Sequence, residues 1–373
     1  MAEHSLELPH RSTSRRVRAA GAFFAMVTTL FLVGCGEPQP VSRTFTIGGT
    51  TGTVWVATQL KSRLADAVDL AESTVRRSMK MLDASDAESQ ISQINRMANL
   101  SQAPLSGDIF RVIDLAYYYT GLTDGAFDIT TAPLLTLWGF GTAHVPAEIP
   151  TEELIDAARS SMGKDHAVVS SSRTMVFTTP LTRIDPGELT RSYAVDLGIL
   201  QFRRNKITSA MITFGNTVRC EGAMSKLQPW SIPLHDPTSE TNVLGLVTLP
   251  EAFAVHTASL YERFVTIGGR KYGHIMDPRT GHPAEGTLSV SVMGPTATQS
   301  GALAQALVIL GLDKCASVLD GFPRHDVLII PDRQPVELWM TKGFAIRFKQ
   351  DPGFKGTIHI IEQPETAAET PAP

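Results

Sequence analysis

Ile184-Asp185-Pro186-Gly187-Glu188-Leu189-Thr190-Arg191-Ser192-Tyr193-Ala194-Val195-Asp196 is the stretch in which an extended run gives way to a helix. Ile184 closes a strand, Asp185 is placed to cap, and Pro186 suits a first helical position. Leu189, Tyr193, Leu197 and Leu200 then recur on one helical face. The spacing predicts a helix over 187–203. Further out, β-branched and aromatic residues predict strands over 53–59, 167–177, 209–218, 245–249, 252–257, 287–293 and 326–330. Apolar residues at helical spacing predict helices over 62–82, 107–120, 152–161 and 298–310. There is no internal repeat, and the elements mix without a strict βαβ rhythm. The fold class is therefore α+β rather than a doubly wound sheet.

The chain has 373 residues, 43% apolar and 19% charged, enough for a full core. Lys and Arg number 33 against 37 Asp and Glu, so no basic field is available for a nucleic-acid backbone. Cys35, Cys220 and Cys315 are too dispersed for a disulfide scaffold or a paired Cys-x-x-Cys zinc site. A single Cys220–Cys315 bridge stays open.

At the N-terminus, Arg11, Arg15, Arg16 and Arg18 precede an uncharged run from Ala19 to Gly34, which ends in Leu32-Val33-Gly34-Cys35. The order resembles a bacterial lipoprotein signal, shorter than the about 20 residues of a membrane span. Residues 1–34 are read as signal peptide, 35–43 as lipidated Cys35 plus linker, 44–362 as the folded domain, and 363–373, rich in Pro, Thr, Ala and Glu, as a disordered tail. The expected location is extracytoplasmic and membrane-anchored, with the choice of inner or outer membrane open.

Three clusters could carry chemistry. In Asp124-Gly125-Ala126-Phe127-Asp128, continuing to Trp138-Gly139-Phe140-Gly141, the glycines permit tight turns and the aromatics offer flat apolar surface to a planar ligand. An aromatic-rich loop packed on the core accounts for the same residues. In 184–196, a helix start favours anions, Glu188 would repel a pyrophosphate without a divalent cation, and Arg191 is a phosphate partner. An ordinary structural helix is the alternative. In Tyr272-Gly273-His274-Ile275-Met276-Asp277-Pro278-Arg279-Thr280-Gly281, His274 sits before a turn and could shuttle protons, or could be a satisfied loop histidine. No phosphate loop, Gly-x-Gly-x-x-Gly, His-Glu-x-x-His or Gly-x-Ser-x-Gly is present.

In their order and spacing the clusters resemble the ApbE family of FAD:protein FMN transferases, over roughly Ile47 to Ile330. Supporting matches are Ser89-Gln90-Ile91-Ser92-Gln93-Ile94-Asn95, Pro229-Trp230 with Pro237, and Thr257 with Tyr261-Glu262-Arg263. The resemblance implies a T-fold-related α+β architecture that binds FAD with Mg²⁺ and transfers FMN to a Thr or Ser of a partner flavoprotein, releasing AMP. It implies that Ala126, Phe127, Asp128 and Asp185 hold the nucleotide and that His274 handles the proton.

Departures fall where the metal belongs. The family's Ala-Asp-Ala-Leu-Ala-Thr-Ala reads Ser300-Gly301-Ala302-Leu303-Ala304-Gln305-Ala306, so Gly301 offers no side chain and Gln305 only an amide oxygen. Its Gly-Gly-x-Ala-Lys-Gly reads Gly187-Glu188-Leu189-Thr190-Arg191-Ser192, its Gly-Gly-Asp reads Gly215-Asn216-Thr217, its Ser-Gly reads Ala258-Ser259, and Ser85 replaces an aromatic. Two expectations compete. Glu188 with Gln305 rebuilds a Mg²⁺ site and transfer survives, or the site has decayed and the protein binds FAD or a partner without turnover. A lipoprotein that binds no flavin is a third outcome.

Overall fold

The computed structural model describes residues 40–362 apart from 58–60, 98–101, 143–144, 227 and 240. The expected signal peptide, Cys35 and the tail 363–373 lie outside the described residues.

One nine-stranded sheet organises the molecule. Its strands follow one another across the sheet in chain order: Val41–Ile47, Thr50–Val56, Ala210–Phe214, Thr217–Glu221, Ala254–Ser259, Thr287–Gly294, Asp326–Pro331, Glu337–Met340 and Thr357–Ile360. Neighbours are antiparallel except the last pair, which is parallel. Two-residue turns set the register where glycine permits positive φ, as at Gly48-Gly49 (φ 54° and 80°). The first strand begins at Val41, inside the segment expected as linker.

Each strand sends alternate residues to opposite faces. In Ala210–Phe214, Ala210, Ile212 and Phe214 face the helices Lys61–Leu82 and Glu188–Arg204, meeting Ala71, Val75, Ile199 and Phe202. Met211 joins Cys220, Val255 and Leu328 on the far face, which a three-stranded sheet of Ser231–His235, Val243–Thr248 and Phe348–Gln350 covers through Trp230, Ile232 and Val247. The largest core cluster sits between the sheet, the helix Ala297–Leu319 and the helix Gly107–Leu122. Ala297–Leu319 is apolar and long enough to span a bilayer, yet Ala302, Leu303, Ala306 and Leu307 are all buried in that core. It breaks its helical φ/ψ at Gly311 (φ 68°), one residue past the end expected for it.

Two local readings are corrected. Asp185 does not cap and Pro186 is not the first helical residue. The helix begins at Glu188 behind Gly187, whose φ of 52° makes the turn, while Asp185 Oδ1 accepts from the Gly187 amide at 2.9 Å. Nor is this helix amphipathic: it is enclosed by helices on two sides and the sheet on a third, so Leu189, Ser192, Tyr193, Ala194 and Val195 are all buried. Cys220 and Cys315 are both free thiols, in clusters on opposite faces of the sheet.

Candidate active site

The fold joins the three sequence clusters. Asp185 donates its amide to the Ile129 carbonyl (2.7 Å), which ties the second cluster to the first. Asn95 holds Ile184 through both its amide and its carbonyl (2.9 and 2.8 Å), giving the Ser89–Asn95 match a structural role. Trp138 Nε1 donates to the Gly281 carbonyl (3.0 Å) and Phe140 approaches the His274 ring edge-on, which ties the first cluster to the third.

The aromatics expected to face a planar ligand point inward instead. Phe127, Trp138 and Phe140 are buried in the core, and the side chain of Ala126 with them. The amides of Ala126 and Phe127 are taken by Thr123, so neither residue presents a side chain or an N–H to FAD. Asp128 is half-buried. Its Oδ1 accepts from the Thr130 amide and hydroxyl, both at 2.7 Å; burial raises its carboxyl above the ordinary value while those two bonds oppose the rise. Burial likewise raises Asp185, against the Gly187 amide.

The densest polar grouping surrounds Glu188. Arg191, three residues along the same helix, ion-pairs with Glu188 Oε1 and reaches Glu262 Oε1 at 3.3 Å. Glu262 comes from the loop after the strand Ala254–Ser259. Asn216, in the Phe214 to Thr217 turn, donates to the Thr257 carbonyl (2.6 Å), with Glu262 Oε2 at 3.2 Å and Glu188 Oε2 at 3.4 Å. His274 places Nε2 4.0 Å from Glu188 Oε1. Its Nδ1 lies 3.2 Å from the Arg263 carbonyl, so each ring nitrogen faces an oxygen that can only accept. One ligand atom from each of Glu188, Glu262 and His274 lies within 4.8 Å of the others.

Burial would raise the Glu188 carboxyl, but Arg191, His274 and His256 outweigh it and hold the group well below the usual carboxylate range. Burial, then repulsion from Glu188, raise Glu262.

Sequence reasoning assigned no role to His256 or Glu262. Yet His256 is fully buried. Its Nδ1 meets Thr217 Oγ1 (2.9 Å) and Ser192 Oγ (3.2 Å), and its Nε2 stands 3.6 Å from Glu188 Oε2. Burial pushes it down to about 4, so it is neutral at pH 7. The available signal was its place between Ala254 and Ala258 on the helix-facing side of a strand. Among the described residues, seven buried side-chain polar atoms lack a partner, and three of them, Arg191 Nε, Asn216 Oδ1 and His256 Nε2, lie here. Such clustering marks a place where a ligand or solvent completes the bonding.

The position expected for a metal carboxylate is closed. Gly301 is fully buried, and a methyl built on it would collide with Ser192 Oγ and stand 3.6 Å from His256 Nδ1. The helices Glu188–Arg204 and Ala297–Leu319 run side by side in opposite directions. Asp196 bonds the amides of Ala297 and Thr298, and Ser192 faces Gly301, one turn further on. The same stepping carries the turn of Glu188 toward half-buried Gln305.

Against this geometry, the ApbE family model matches residues 49–329. The chain belongs to the ApbE family. An FAD:protein FMN transferase of Escherichia coli K12 is 27% identical over 86% of this chain and 95% of its own length, and one from Treponema pallidum is 26% identical over 68% and 74%. The solved ApbE protein of Thermotoga maritima superposes with a TM-score of 0.75 at 26% identity, over 84% of this chain and all of that one. The apo flavinyl transferase ApbE of Pseudomonas stutzeri gives 0.74 at 23%, over 85% and 99%, and supports the α+β fold.

Proposed function

We propose that this ApbE protein takes FAD as substrate and transfers its FMN half to a Thr or Ser hydroxyl of a partner flavoprotein, releasing AMP. We place it on the extracytoplasmic side of a membrane, anchored by a lipid on Cys35. The observation that carries the activity is the meeting of the second and third clusters at Glu188, with three unpartnered buried polar atoms at one spot, in a chain whose relatives bear the transferase name.

In the transfer, the bond from the FMN phosphorus to the bridging pyrophosphate oxygen breaks and AMP leaves with that electron pair. The acceptor oxygen bonds the same phosphorus and gives up its proton. The protein must supply a proton acceptor and positive charge beside the phosphates. His274 is the group that takes the proton, its ring held between the Arg263 carbonyl at Nδ1 and Glu188, 4.0 Å from Nε2, which stabilises the imidazolium. Arg191 is the cation at the site, with Nε free to donate to a phosphate while Nη2 is shared by Glu188 and Glu262. Asp128 and Asp185 each spend Oδ1 on a local turn and keep Oδ2 for the nucleotide.

The Mg²⁺ implied by the resemblance does not fit these residues. Gly301 offers neither a ligand nor space for one, Glu188 is held by Arg191, and the third nearby donor is the nitrogen of His274, whereas Mg²⁺ favours oxygen. The closure at Gly301 favours a second reading, an FAD-binding member without turnover.

Residues 35–373 purified without lipid and incubated with FAD and a flavoprotein acceptor decide between them. The expected result is equal amounts of acceptor-bound FMN and free AMP, falling about 10²–10⁴-fold in His274→Gln. FAD held intact would establish the binder, and no bound flavin would overturn both readings.

A further inference from the structure

Two carboxylates and an imidazole that approach within 4.8 Å in a largely buried setting call for a positive charge between them. Such a group commonly takes a divalent cation, and a mixed set of two carboxylates and one histidine suits Mn²⁺ or Zn²⁺ better than Mg²⁺. Here the chain brings its own cation to that spot. The Arg191 guanidinium contacts Oε1 of Glu188 and Oε1 of Glu262 through the same Nη2. The pairing with Glu188 is local, three residues along one helix, so it forms whenever that helix forms. The stem runs past the turn that also carries Asn216, where a Cβ built on Gly215 would stand 3.7 Å from Arg191 Cδ. Only 16% of the Arg191 side chain is exposed. A guanidinium stays protonated throughout the accessible pH range and is planar, so it can serve two carboxylates at once. Asn216 holds the opposite oxygens, Oε2 of both glutamates, which fixes the pair around Arg191.

We infer that Arg191 is a built-in cation that occupies the divalent-metal position between Glu188 and Glu262 and keeps metal ions out of it. This goes beyond the transferase reading and does not depend on it, because it concerns what the cluster binds whether or not flavin is turned over. The consequence is a centre whose positive charge is permanent and insensitive to chelators.

The test is a titration of the whole protein with Mn²⁺ alone, reading free ion by electron paramagnetic resonance. The wild-type protein is expected to show no saturable binding below about 1 mM. Arg191→Met, which keeps the stem and removes the charge, is expected to gain a single site at least about tenfold tighter, and Glu188→Gln on that background is expected to abolish it. Saturable wild-type binding in the micromolar range, lost in Glu188→Gln, would overturn the inference. So would a folded Arg191→Met protein with no gain. Circular dichroism establishes folding. If Arg191→Met fails to fold, Arg191→Gln takes its place, and the wild-type titration remains decisive on its own.

Discussion

The helix Glu188–Arg204 carries two acidic side chains paired to arginine, two turns apart, and they are finished differently. At Asp196 the bonds are nearly all made within the protein, although the pair borders a cavity that Tyr193, Arg203 and Gln299 also line. Its carboxylate accepts from the Ala297 and Thr298 amides (2.9 Å each), from Thr298 Oγ1 (2.6 Å) and from Arg219, at the start of the next helix. At Glu188 the carboxylate touches Arg191, Asn216 and two histidines, and three polar atoms around it are left without partners, against one, Arg219 Nε, beside Asp196. A pair whose bonds are nearly all made inside the protein holds elements together, whereas a pair with unmade bonds is set up to receive something. The difference separates an ion pair whose bonds are nearly complete from one whose bonds are not, on a single helix.

The comparison is most easily broken by removing Asp196. Asp196→Ala takes the acceptor from the Ala297 and Thr298 amides, leaving the Thr296 cap in place, and leaves Arg219 buried without its partner. The expected loss is about 3–5 kcal/mol of unfolding free energy in urea. A loss below about 1 kcal/mol would mean that the Asp196 pair is no more structural than the Glu188 pair.

Acid sharpens the comparison. His256, on the Glu188 side, and His325, near the sheet's far end, are both pushed down to about 4 by burial. In the unfolded chain each takes a proton near pH 6.5. Between about 4 and 6.5 the unfolded state therefore binds more protons, and stability rises with pH. The contribution is complete above pH 6.5 and is lost as pH falls toward 4, at most about 3 kcal/mol for each histidine. In denaturation curves recorded across that window, His256→Gln is expected to reduce the slope. An unchanged slope would show that His256 is already charged in the folded protein, so that the Glu188 cluster carries one more positive charge than its geometry assigns.

What could be read from sequence follows from which interactions are local. The helices over 61–82 and 107–122 announce themselves by apolar spacing, the helix 188–204 by the turn before it, and the strands 287–294 and 326–331 by β-branched runs. His274 and Glu188 were also legible as polar residues beside turn signals. Asp185 was misplaced as a cap because Gly187 makes the turn through positive φ, an alternative the side-chain pattern does not reveal. Phe127 and Trp138 were expected at a ligand because flat residues near glycines suit a pocket and a core equally, and only the tertiary packing decides. The strands 231–235, 337–340 and 357–360 are short, four or five residues each, so little in their own composition marks them. His256 and Glu262 reach Glu188 through pairing between remote strands, which no local pattern encodes.

The smallest expected effect concerns Gly301, where the departure seen in sequence meets the geometry that explains it. If the metal position had merely lost its side chain, a small residue would be tolerated there. The structure instead has Ser192 Oγ in the space a methyl would need, with that hydroxyl donating to the Glu188 carbonyl (3.0 Å) and lying against His256 Nδ1. Gly301→Ala is therefore expected to destabilise the fold by about 1–3 kcal/mol through overpacking. Ser192→Gly on the same chain should restore part of it, giving a coupling of about 0.5–3 kcal/mol in a double-mutant cycle. Additive effects would mean that Ser192 yields freely, so that the old position is empty rather than refilled. A measurable coupling would mean that the Glu188 cluster has been repacked as a unit around Ser192, His256 and Arg191, and that restoring a carboxylate at 301 alone cannot return the site to a metal.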